Sequence, residues 1–266
     1  MRVRLIAPLV AVAALAAAPA AVDAQLSAYK PSTGKYKVES NVKVAQTMMG
    51  QTQEFETNSK QQLTIAISGG APTMDMSVVL DSIAVTSTAP GANTDQSAML
   101  GTKVTAKLSA AGATSDTKAV DKTGAEVKNP AVAQIATILP RLKPGATIGE
   151  SWVDTTKTTA TQNGVETTTN TITTYTYASD STVGGAKLAK VTAVSAAKIT
   201  GKGNAQGQDI SLDGESKQTS VYLVAPSGAL TGGAGNAEIN MSITVEAMGL
   251  VIPMTQKVVT KIDKVS

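Results

Sequence analysis

The chain has 266 residues, with 23 Lys and Arg against 20 Asp and Glu, and it contains no His and no Cys. That composition removes imidazole and thiol chemistry: no Ser-His-Asp triad, no histidine or thiolate metal site, no iron–sulfur ligation and no disulfide framework. The charges alternate along the chain and form no run, so nothing draws in nucleic acid or an anionic membrane surface.

Residues 1–24, "MRVRLIAPLVAVAALAAAPAAVDA", have the charged, apolar, small-residue order of a secretory signal peptide. Arg2 and Arg4 precede the apolar run, Pro8 and Pro19 interrupt it, and Val22 and Ala24 occupy the −3 and −1 positions. This layout predicts cleavage after Ala24, an extracytoplasmic location (periplasm or medium), and no transmembrane span in what remains. Residues 25–266 are expected to form one β-rich domain in two halves, about 25–140 and 141–266.

The first ribbon spans Tyr36 to Leu63. Val38, Val42, Val44 and Met48 share one parity, while Lys37, Glu39, Asn41 and Lys43 take the other, so one face meets a core and the other water. A two-residue turn at Met49-Gly50 sets Met48 opposite Gln51, Val44 opposite Phe55 and Tyr36 opposite Leu63. Further strands are expected over 73–86 and 102–109. "NPAVAQIATILPRL" is the one helical pattern, with Asn129 as N-cap, Pro130 in the first turn and Pro140 as its stop.

After the "PRLKPGATIGESW" turn, a Thr-rich hairpin reverses at Asn163-Gly164, opposing Trp152 to Tyr175 and projecting a polar tip into solvent. Strands follow over 186–200, 208–224 and 228–235. "GKGNAQG" and "APSGALTGG" read as connections. In the last hairpin Ile239, Met241, Ile243, Val245 and Ala247 share a face. A Met248-Gly249 turn would oppose Val245 to Ile252, Ile243 to Met254 and Ile239 to Val258. Pro253 falls on the other parity and marks an edge or a bulge, because it cannot donate to a ladder.

"MMGQTQEFET", "MDMSVVLDSI" followed by "MLGTKVTAKLSAAG", the central "LPRLKPGATIGESW" and the closing "MGLVIPMTQKVVTKID" occur in an order that resembles an uncharacterised family of exported bacterial proteins and lipoproteins. The resemblance covers nearly the whole chain after residue 24. It implies a β-rich extracytoplasmic domain and supplies no catalytic residues. The chain departs from the family in lacking the lipid-bearing Cys that many such proteins carry.

Candidate chemistry is sparse. Ser151 beside Glu150 and Ser216 beside Lys217 are adjacent on strands and point to opposite faces. "GGAGNAEI" puts Ala237 where a calcium repeat needs a carboxylate, "GKGNAQG" opens no helix, and the Asn240-Met241-Ser242 sequon lies inside a strand. Met48, Met74, Met76, Met241 and Met254 fall at strand positions, filling a core that has one Phe and one Trp.

The sequence therefore predicts an all-β fold: a large antiparallel curved sheet, open barrel or sandwich, built from two meander halves with one short central helix. The expected role is non-catalytic, with no metal and no cofactor. An apolar face including Val44, Phe55, Met241, Ile243, Val245, Ile252 and Met254 is the candidate surface for an apolar or amphiphilic ligand such as a lipid. The alternative is an interaction module that meets another envelope protein through its sheet edges or the Thr-rich hairpin.

Overall fold

A computed structural model describes residues 25–48, 50–127, 138–162, 164–205 and 207–265. The expected signal peptide, and most of the expected helix over 129–140, lie outside the described residues. Among the described residues the only helical pieces are two three-residue 3-10 turns, Ser97–Met99 and Glu246–Met248.

Eleven strands form one antiparallel sheet. The first half contributes β1 (Ser32–Met48), β2 (Gln51–Gly70), β3 (Thr73–Ser87), β4 (Lys103–Ser109) and β5 (Thr114–Val120). The second half contributes β6 (Ser151–Gln162), β7 (Val165–Val183), β8 (Ala186–Ala205), β9 (Gln208–Val224), β10 (Leu230–Val245) and β11 (Leu250–Val265). The order across the sheet is β5-β4-β3-β2-β1-β11-β10-β9-β8-β7-β6. Each half is thus a meander, and the first and last strands join them, from Lys35↔Val265 to Gln46↔Met254.

The β1–β2 register is the expected one, with Met48↔Gln51, Val44↔Phe55 and Tyr36↔Leu63. The Thr-rich hairpin also matches, and Trp152 stacks on Tyr175 with ring centroids 5.8 Å apart. The last hairpin needs correction. Its connection has four residues, a 3-10 turn over Glu246–Met248 followed by Gly249 in the left-handed region (φ 58°). Val245 therefore opposes Leu250, Ile243 opposes Ile252, and Ile239 opposes Gln256. A slip of two residues keeps every side chain on its expected face. Pro253 sits one residue beyond the last β1–β11 pair, so its missing N–H breaks no ladder there.

Two connections also proved shorter than their glycines suggested. β10 runs unbroken from Leu230, through Gly232, Gly233 and Gly235, and β8 continues to Ala205. At Gly235 a Cβ would lie 2.6 Å from the Ser220 hydroxyl oxygen, so the glycine answers close approach between strands rather than a reversal. Strand β5 has no counterpart among the expected elements. It is a mostly polar edge with one buried side chain, Ala119, and Asp116 at φ 52° interrupts its alternation where the β4–β5 register shifts.

The sheet is rolled. Strands β4 and β7 stand eight places apart, on the order of 40 Å in a flat sheet. Yet Val104 and Leu108 of β4 share one buried cluster with Tyr177 of β7 and Val191 of β8. Two non-strand segments close the gap at this end, here called the base. Leu26 and Ala146 bond through their backbones (2.9 Å), Tyr29 N–H donates to Ala110 (3.0 Å), Leu142 N–H to Ala111 (2.8 Å), and Gly149 N–H to Tyr177 (2.7 Å). Arg141 donates to Asp154 of β6 (2.9 Å) and to the Gly112 carbonyl in the β4–β5 turn, so one guanidinium touches both ends of the sheet. Leu26, Tyr29, Leu139, Leu142 and Ala146 fill the interior as a plug. Strands β5 and β6 do not pair, and the roll stays open as a barrel.

Gly112 lies under this plug at φ 88°, where a Cβ would come within 2.6 Å of the Tyr29 ring and 2.7 Å of the Pro140 carbonyl oxygen. Gly112→Ala is expected to destabilise the chain by roughly 2–4 kcal/mol, measured by urea unfolding. The tyrosines give a second test. Tyr29, Tyr36, Tyr175, Tyr177 and Tyr222 all have their ionisation pushed up, first by burial. Their contribution to stability is complete below the ordinary tyrosine value of about 10 and is lost as pH rises through the higher folded-state values. Phenolate absorbance should therefore appear late in alkaline titration and together with unfolding.

Candidate functional site

Paired residues in an antiparallel ladder point to the same side, so the registers assign every strand residue to a face. The inner face contains Tyr36, Leu63 and Leu80 at the base, and Ile262, Tyr222, Val191 and Tyr177 across the second half. All seven residues singled out by the sequence lie on this face. Val44 pairs with Phe55, Met241 with Met254, and Ile243 with Ile252, while Val245 sits across from Leu250. The β1–β11 ladder brings these pairs side by side, with Gln46 opposite Met254 and Val44 opposite Gln256.

The inner face changes character along the strands. At the base the plug covers it, and Leu63, Val191 and Val224 are fully buried. Above the plug runs a belt of hydroxyl groups. The Thr173 and Ser195 hydroxyls bond at 2.9 Å, and Gln218 donates to Ser220 at 3.0 Å, with Ser220 only 4% exposed. Beyond the belt, towards the tips, the face is apolar again, and among the described residues nothing covers it. Val44, Phe55, Met241, Ile243, Ile252 and Met254 are half-buried there, and only Val245 is buried. Val42, Val258, Ile239, Leu212 and Ile199 extend the same surface. Their parity alone would have identified them.

Charge is segregated completely in this upper part. Among the described residues its inner face has no ionisable side chain. The outer face carries Glu56, Lys43, Lys257, Glu238 and Lys217 side by side in one row across β2, β1, β11, β10 and β9. Asn41 and Asn58 donate to Glu56 and, with Lys43 nearby, hold its carboxyl below the usual range. A shallow groove with Lys198, Asp213, Glu215 and Lys217 crosses the outer face and mixes both signs of charge. Its lining is mostly outer-face, although Met241 and Met254 of the apolar set also reach it.

Two carboxylates beside the Trp152 strand start, Glu150 and Asp154, are already engaged. Glu150 accepts from Lys143 and from the Thr147 N–H (3.1 Å), which lowers its pKa and fixes the turn before β6. Asp154 is the ion-pair partner of Arg141. Among the described residues no group of three or more Asp and Glu could hold a metal ion, and no helix is long and apolar enough to cross a membrane. The Trp152–Tyr175 stack packs against the core, with the buried Trp152 indole N–H lacking an acceptor.

Adjacent residues on β11 separate the two faces experimentally. Val258 is half-buried on the inner face, and Val259 is 52% exposed on the outer face. Val258→Asp should cost about 1–3 kcal/mol in urea unfolding, whereas Val259→Asp should stay within about 0.5 kcal/mol of the parent.

No family model matches the chain, so the resemblance to exported proteins and lipoproteins has no model behind it, and no curated protein matches its sequence. Among solved structures, the chain is similar to a Vibrio parahaemolyticus domain described as an outer membrane lipoprotein-sorting protein. The identity is 9%, with 86% of this chain and 83% of that one covered and a TM-score of 0.23. It is also similar to OccK2 (OpdF) of Pseudomonas aeruginosa at 10% identity, covering 88% of this chain and 98% of that one, with a TM-score of 0.27. TM-scores this low do not establish a common fold.

Proposed function

We propose that this chain is a non-catalytic, exported envelope protein that holds an apolar or amphiphilic ligand against the inner face of its rolled sheet. The observation that carries the reading is the uneven filling of that face. A plug packs its base to full burial, while the apolar, uncharged upper part from Val44 to Met254 has no cover among the described residues. Contiguous apolar surface facing water is disfavoured, and its persistence on one uncharged face of the sheet fits a site for acyl chains. The absence of ionisable groups there suits an uncharged or hydrocarbon portion of the ligand, which would not have to displace charge from water. Export rests on the layout of residues 1–24. A non-enzymatic role rests on the lack of His and Cys and on the engagement of Glu150 and Asp154.

Native mass spectrometry of the chain purified from a bacterial periplasm tests this. A mass above that of the polypeptide is expected, removable by organic solvent and yielding an apolar or amphiphilic species. Met241→Glu should reduce its occupancy roughly tenfold, since it sets a charge on the binding face. A bare polypeptide mass, together with no uptake of an added fatty acid, would contradict the reading.

A further inference from the structure

The two Met-Gly hairpins lie about two hundred residues apart in sequence, and the β1–β11 ladder makes them neighbours on one rim. The ladder ends at Gln46↔Met254, so the β1–β2 tip and the β10–β11 tip rise from the same point. From these two tips we infer that the rim docks on the surface of a lipid bilayer. The inference rests on the proposed ligand site and names where its cargo would enter.

Three features single out these tips. Residues 44–53 and 247–256 are both without charge, in a sheet whose outer face is otherwise charged. Their apolar side chains stand in solvent: Met48 is 37% exposed, Met248 59% and Val251 54%. The other turns on the same rim differ, reading "TQNG" at 161–164 and "NAQG" at 204–207, with amides in place of thioethers. Exposed apolar turns are ordinarily avoided because they invite association, and here Glu246 is the one ionisable side chain within either turn.

The occupant follows from chemistry and continuity. No basic cluster surrounds the tips, and the nearest charges along the chain are Lys43, Glu54, Glu246 and Lys257, which balance. Attachment is therefore apolar rather than electrostatic. Flexible methionine side chains conform to a fluid surface better than to one fixed partner pocket. The tips also continue directly into the inner face through Ile252, Met254 and Val44. An acyl chain leaving a bilayer at this rim would reach the interior without crossing water, the step that costs about 0.8 kcal/mol per exposed methylene.

Flotation of the chain lacking residues 1–24 with vesicles of palmitoyl-oleoyl-phosphatidylcholine is the test. The chain should float with the vesicles, and neither added phosphatidylglycerol nor high salt should change the bound fraction much. Met48→Glu with Met248→Glu should lower binding by roughly tenfold, and Val194→Glu, on the outer face away from the rim, should leave it unchanged. Equal binding by the tip variant, equal loss in Val194→Glu, or binding that requires anionic lipid would overturn the docking inference. Uptake of cis-parinaric acid from solution separates this from the ligand reading. A chain that floats but takes up no probe keeps the docking surface and loses the ligand site. One that takes up the probe but never floats keeps the site and loses the docking surface.

Discussion

The pairing of β1 with β11 is the contact on which the molecule depends. It joins residues more than two hundred positions apart, so it must repay a long loop closure before it stabilises anything. Twelve consecutive residues of β1 take part, which gives the ladder the length to do so in a chain with no disulfide. Without it the two meanders would each keep an open edge, and Val44 and Phe55 would lie nowhere near Met241 and Met254. With it, two half-faces become one surface and two distant hairpins become one rim.

That surface is then divided by the plug. Residues 25–29 and 138–150 satisfy their backbone groups against the β4–β5 turn and β7, and their Leu and Tyr side chains fill the base. Arg141 spans the gap between the sheet's two ends, where strand pairing stops. Packing at the base thus provides the fold's rigidity. The upper part is left to strand pairing alone, with apolar side chains inward and a balanced row of charges outward. The cost of an uncovered apolar face falls where an adaptable occupant could relieve it.

Period-two patterning made the faces legible before any coordinates. Val42, Val44 and Met48 against Lys43 and Asn41 needed only alternation, and all seven candidate residues fall on the inner side. Registers were legible where the turn has two residues, as at 49–50 and 163–164. At 246–249 the turn takes four, and the pairing moves by two while the faces hold. Strand β5 escaped because a polar edge interrupted at Asp116 has little alternation to read. The curvature of the sheet was expected, but the plug that fills its base escaped for a different reason. It depends on contacts such as Arg141 to Gly112 and Tyr29 to Pro140, which leave no periodic trace in the chain. Glycines misled in both directions: those in β10 serve strand crowding, and Gly249 lengthens a turn.

The most direct test of an open apolar inner face uses the natural lack of cysteine. Met241→Cys and Asn240→Cys place a single thiol on opposite faces of β10, each labelled with the same environment-sensitive fluorophore. Addition of a brominated fatty acid should quench the label at 241 strongly and leave that at 240 nearly unchanged. Equal quenching at both positions, or none at either, would contradict the account.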